Sequence, residues 1–120
     1  LWTEAAAAIQ DFWDDLRISG HHDNVVMFIF SEFGRRVKDN GSGTDHGSAG
    51  VSFVIGPSVK GGMYSRYPET RSEALDQGDL VPNQDFRGVY STLLENWLEV
   101  EAAPIVNGTF SSENFFVGVN

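Results

Sequence analysis

Val25-Val26-Met27-Phe28-Ile29-Phe30-Ser31-Glu32-Phe33-Gly34-Arg35 is the stretch on which the fold turns. Its first six residues are apolar without a break. The run is too short for a core helix, and it lacks the period-two alternation of a strand with one wet face, so it predicts a strand buried on both sides. Immediately upstream, Ile9, Phe12, Trp13 and Leu16 recur at helical spacing behind Ala5 to Ala8, with Thr3 as N-cap and Ser19-Gly20 as the stop. Helix, short polar turn and doubly buried strand make half of a right-handed parallel crossover unit. The expected class is α/β, a partial, mostly parallel sheet with flanking helices.

Further along, residues 34–50 are rich in Gly, Ser, Asn and charge and read as one long loop. Val51 to Ile55 forms a second short strand that Gly56-Pro57 ends, and Met63 to Tyr67 a short extended piece. Phe86, Val89, Tyr90, Leu93, Leu94, Trp97 and Leu98 line one face of a second helix, for which Asn83 or Asp85 supplies the cap. From Pro104 the tail reads as loop, with Phe115-Phe116-Val117 able to pair as an edge strand or to pack as an anchor. No repeat or linker divides the chain, so residues 1–120 are one α/β domain or a C-terminal fragment of a larger one.

Composition bounds the function. A hydrophobic content of 41% with three Trp and nine Phe supports a packed core. The net charge of −9 argues against nucleic acid and anionic lipid, both of which call for Lys and Arg. The absence of Cys excludes thiolate metal sites and cysteine nucleophiles. No run reaches the length of a membrane span, and no basic, apolar export signal opens the chain.

Chemistry concentrates between Ser31 and Gly47. Glu32 follows the buried strand, where open parallel sheets gather ligands; otherwise it caps a turn or pairs with Arg35 or Arg36. Asp45-His46, flanked by Gly43 and Gly47, offers a carboxylate and an imidazole that a tight turn could bring together. That donor pair suits zinc, manganese or iron better than calcium. Arg35, Arg36 and Lys60 are the cations available to an anion. His21-His22-Asp23 has metal-ligand composition but sits where an exposed turn is expected. Asp85-x-Arg87 reads as a cap with an ion pair, and Asn107-Gly108-Thr109 fits a glycosylation sequon by pattern alone. Lys60-Gly61-Gly62 lacks the spacing of a phosphate loop, and nothing beyond residue types supports a Ser-His-Asp triad.

Taken together, Ser31-Glu32-Phe33-Gly34-Arg35, Gly43-Thr44-Asp45-His46-Gly47 and Lys60-Gly61-Gly62 resemble the C-terminal part of the family called domain of unknown function 1501. These are bacterial sulfatase-like proteins related to the alkaline phosphatase superfamily, and the resemblance runs across residues 5–100. It implies a large parallel sheet with a divalent metal (zinc, manganese or calcium) at the strand ends, and hydrolysis of phosphate or sulfate esters. On that mapping Glu32 takes the place of a ligand carboxylate. Phe33 takes the place of a ligand Asn or His, which it cannot replace chemically. Asp45 and His46 then complete the metal set, or His46 matches a separate downstream His of the phosphatases. Arg35 stabilises the oxyanion. The resemblance also implies a periplasmic or secreted location. The chain has no Cys and no Ser-x-Pro-x-Arg, hence no recognisable formylglycine nucleophile. It reads as the last part of a longer protein, so self-association, or association with a missing N-terminal portion, is expected.

Overall fold

Two separate two-stranded antiparallel ladders, rather than one sheet, carry the β structure of this computed structural model, which describes residues 1–118. Helix α1 spans Trp2–Ser19 and ends on Gly20, whose left-handed backbone (φ 73°) supplies the expected C-cap. The helix starts one residue before Thr3, so Thr3 lies inside it and no side chain caps its N-terminus. A one-turn 3-10 helix, His22–Asn24, leads into β1, Met27–Ile29. Then follow β2 (Gly34–Asp39), β3 (Thr44–Gly47) and β4 (Phe53–Ile55). After a 3-10 turn at Ser72–Ala74 come α2, Phe86–Asn96, and the short α3, Ala103–Val106.

The expected parallel sheet is thereby corrected. β1 pairs with β4 antiparallel, Met27 against Ile55 and Ile29 against Phe53, while β2 pairs with β3 antiparallel, Gly34 against Gly47. A parallel neighbour needs a crossover connection to carry the chain back to the same end. Here the segment after β1 folds into a hairpin instead, and the next apolar run returns in the opposite direction. β1 is half-buried rather than covered on both faces, and Phe30 stands 58% exposed just past its end. What survives of the expectation is a mixture of α and β.

The stretch read as a loop contains the β2–β3 hairpin. Polar strands such as Gly-Arg-Arg-Val-Lys-Asp carry no hydrophobic alternation, so the pairing is not announced by period. Just beyond the paired residues of β3, the Arg35 N–H also donates to the Ala49 carbonyl at 3.2 Å. Gly34 makes this approach feasible: a Cβ there would lie 1.7 Å from the Ala49 oxygen.

Burial is deepest around α2 and the tail. Asp85 caps α2, accepting from the Arg87 backbone N–H as its position predicts. The most buried face of the helix is Gly88, Ser91 and Thr92 rather than its apolar stripe. The Thr92 hydroxyl donates to the Gly88 carbonyl and accepts from Glu113 N–H at 2.7 Å, which ties the tail to the helix. A Cβ on Gly88 would come within 2.4 Å of the Ser111 carbonyl oxygen. Of the two roles open to Phe115-Phe116, the structure adopts the anchor, with one isolated bridge in place of an edge strand. Phe116 bridges to Val59 and stacks on Trp97 with ring centroids 5.9 Å apart, and Phe115 and Phe116 are almost fully buried. A second aromatic group, Phe28, Phe30, Phe86 and Tyr90, joins β1 to α2 edge-to-face.

Candidate functional site

The hairpin carries the residues singled out for chemistry. Adjacent side chains of a strand point to opposite faces, so Asp45 and His46, inside β3, take different neighbours. His46 sits opposite Arg35 in the ladder, and its ring lies flat on Phe33 with centroids 3.5 Å apart and planes inclined by 16°. The Arg35 guanidinium lies 5.3 Å from the centroid of the same Phe33 ring and donates to the Thr44 carbonyl at 2.6 Å. Asp45 accepts from the Asn40 side-chain amide at 2.8 Å. Arg35, Asn40, Thr44, Asp45 and His46 line one open, predominantly polar hollow of about 640 Å³.

Phe33, the residue that fits a metal-ligand position worst, thus acts as a platform that orients an imidazole and a guanidinium. Glu32, exposed, precedes this platform by one residue; it is not among the residues lining the hollow. The three candidate cations separate clearly. Arg36 is committed to Asp79 through two hydrogen bonds of 3.2 and 3.0 Å, an interaction that raises its pKa through the hydrogen bonds first and the opposite charge second. Lys60 donates to the Asn114 side chain. Arg35 is the cation that faces the hollow.

The donor set can be tested against a metal. Catalytic zinc takes three protein ligands, and among the described residues no group of three His, Asp or Glu side chains is close enough to hold an ion. The hairpin's carboxylate and imidazole are the right kinds of donor but do not fill a shell by themselves. His21-His22-Asp23 forms the 3-10 turn, where His22 Nε2 lies 3.2 Å from Asp23 Oδ1. Asp85 and Arg87 form the expected cap and ion pair. Hydrogen bonds from the Arg87 side chain, then from its backbone, hold the Asp85 carboxyl down at about 2.

Two contributors were hidden from sequence reasoning. Asn40 orients Asp45 from five residues away across a tight turn, and an Asn before a Gly signals only the turn. Asp79 anchors the hairpin from 43 residues away, a separation at which sequence carries no pairing signal.

No curated protein and no solved structure matches the chain. The family model described as "Protein of unknown function (DUF1501)" matches residues 1–95, a span that holds the whole β2–β3 hairpin and its hollow, and the chain belongs to that family.

Proposed function

We propose that this chain is the C-terminal portion of a sulfatase-like protein related to the metal-dependent phosphate and sulfate ester hydrolases, with the β2–β3 hairpin as its contribution to the site. The observation that supports the reading is that Arg35, Asp45 and His46 are all among the residues lining one open polar hollow, with Asp45 and His46 as adjacent positions of β3. Arg35 offers an anionic ester planar, two-pronged donation, and its bond to the Thr44 carbonyl with the Phe33 ring beneath it limits where the guanidinium points. Asn40 turns one oxygen of Asp45 and leaves the other for a ligand. Zinc, manganese or calcium bound beside Asp45 and His46 would polarise the ester oxygen. Its remaining ligands, Glu32 or carboxylates from outside the hairpin among them, complete a shell that two donors leave open, and the nucleophile is supplied from outside these residues.

The test is elemental analysis of the purified protein, with and without Asp45→Ala and His46→Ala, paired with turnover of aryl sulfate and aryl phosphate esters. Expected is metal retained by the parent chain and lost in both variants at unchanged helix content. Metal-free protein that binds neither zinc nor manganese on addition would overturn the reading.

A second reading, a non-catalytic module that binds a partner or a second copy, is favoured by the surface. The chain exposes 8684 Å², whereas a compact monomer of its 13.2 kDa exposes about 6400 Å². Large apolar side chains contribute to that surface, with Trp2, Phe30, Phe86 and Met63 all more than half exposed. Mass in solution separates the two: a stable dimer without metal supports the module.

A further inference from the structure

Two Asn-Gly pairs occur in the chain, Asn40-Gly41 and Asn107-Gly108, and their surroundings differ chemically. At the hairpin tip the Gly41 backbone N–H donates to Asp39 Oδ1 at 2.7 Å. The Asn40 side-chain carbonyl accepts from both the backbone N–H and the hydroxyl of Ser42, at 3.1 and 3.2 Å. The Asn40 amide nitrogen donates to Asp45. A carboxylate thus touches the nitrogen that would attack, two donors polarise the carbonyl that would be attacked, and a second carboxylate touches the nitrogen that would leave. Gly41 has φ +94°, a backbone state that glycine adopts without strain, and it brings no side chain to obstruct approach.

We propose that Asn40-Gly41 is a self-modification site, at which the folded hairpin promotes its own deamidation. The Gly41 nitrogen forms a bond to Asn40 Cγ, and the resulting oxyanion is stabilised by the two Ser42 donors. The proton of Gly41 N passes to the Asp39 carboxylate, which acts as general base. The Cγ–Nδ2 bond then breaks, and the leaving nitrogen takes up that proton and departs as ammonia. A five-membered succinimide remains. Water opens it at either carbonyl, which gives aspartate or isoaspartate at position 40, with no change in oxidation state. Asn40 and Gly41 are both exposed, so water reaches the ring. The product replaces the amide that donated to Asp45 with a carboxylate, and so adds a negative charge to the hollow at the point where Asp45 stands.

Asn107-Gly108 provides the internal reference. Asn107 is the left-handed C-cap of α3, and the Gly108 N–H donates to the Ala103 carbonyl at 3.1 Å. A peptide carbonyl orients that N–H without being able to take its proton. The same dipeptide therefore lacks a base. This inference is independent of the ester-hydrolase reading, since it requires neither metal nor substrate.

The experiment follows the full chain through incubation in mildly alkaline buffer made with oxygen-18 water, with proteolytic fragments read by mass spectrometry. Cleavage after Lys38 and Lys60 isolates Asn40 as the sole Asn of its peptide. Expected is conversion at Asn40 on the order of tenfold faster than at Asn107, well below the roughly hundredfold that a fully positioned base supplies. The heavy oxygen should appear in the product, and the ratio should fall towards one in concentrated urea. Asp39→Ser, which keeps an oxygen acceptor, removes the base and leaves Asn40 the sole Asn of its peptide, should bring the native rate at Asn40 down to that of Asn107. Ser42→Ala should slow it less, since the backbone donor remains. Equal native rates at the two sites, or an Asp39→Ser rate equal to that of the parent, would overturn the proposal.

Discussion

Helix α1 and the α2–tail region make opposite use of their side chains. The longer helix carries Trp2, Ile9, Phe12, Trp13 and Leu16, yet none of its residues is buried. The shorter helix packs Gly88 and Thr92 against the tail and, together with Phe115 and Phe116 of that tail, holds most of the buried residues among those described. The difference teaches that burial depends on what arrives to cover a face, and only secondarily on how apolar that face is. A helix needs a partner surface to exploit its amphipathic stripe. Around α1 the structure offers contacts such as the edge-to-face pair of Trp2 with Phe53, whereas α2 receives the tail, with Phe116 stacked on Trp97.

The contrast can be broken by paired truncations. Phe116, 2% exposed, should cost about 3 kcal/mol when changed to Ala, because a buried ring leaves a cavity behind. Phe12, 45% exposed on α1, should cost within about 0.5 kcal/mol on the same change. Urea denaturation of both variants measures the difference, and equal losses would mean that α1 is covered in solution by a second molecule. A smaller effect sharpens the polar side of the comparison. Thr92→Val removes the oxygen that accepts from Glu113 N–H and should cost about 1–3 kcal/mol. The same change at Thr3, exposed on α1, should be nearly silent.

The smallest effect concerns acid. The Asp85 carboxyl is held at about 2 against an ordinary 3.8, chiefly by the Arg87 side chain. A carboxyl whose folded pKa is depressed contributes stability that is fully present above the unfolded value and is lost as pH falls through the folded one. The contribution of Asp85 should therefore fade between pH 3.8 and about 2. Asp85→Asn keeps a capping oxygen but should flatten the stability profile in that window, as thermal melts across the range would show. A profile that keeps its slope would place the acid sensitivity in other carboxylates.

Much of the local structure was legible from residues. Four apolar positions at helical spacing and a following glycine define α1 and its end. Asp85 two residues before Arg87 defines the start of α2, and Phe115-Phe116-Val117 was legible as an apolar cluster able to pair or to anchor. The candidate site was legible as a set of residue types between Ser31 and Gly47. Its geometry was not. The hairpin that presents those residues has polar strands, and a polar strand shows no period to read. Phe33 looked like a defect in a ligand motif, but it is the surface on which His46 lies.

The positions of α1 and α2 and their caps at Gly20 and Asp85 were determined by the sequence alone, because each depends on neighbours within about four residues along the chain, whereas the tail read as loop from Pro104 contains α3. Strand direction, the choice of the small polar face of α2 for burial, and the commitment of Arg36 to Asp79 were decided by tertiary structure. Those choices turn on which distant segment reaches a surface first and fits it. A continuous apolar run satisfies either strand direction equally well, so Val25 to Phe30 could announce a strand without announcing the orientation of its partner.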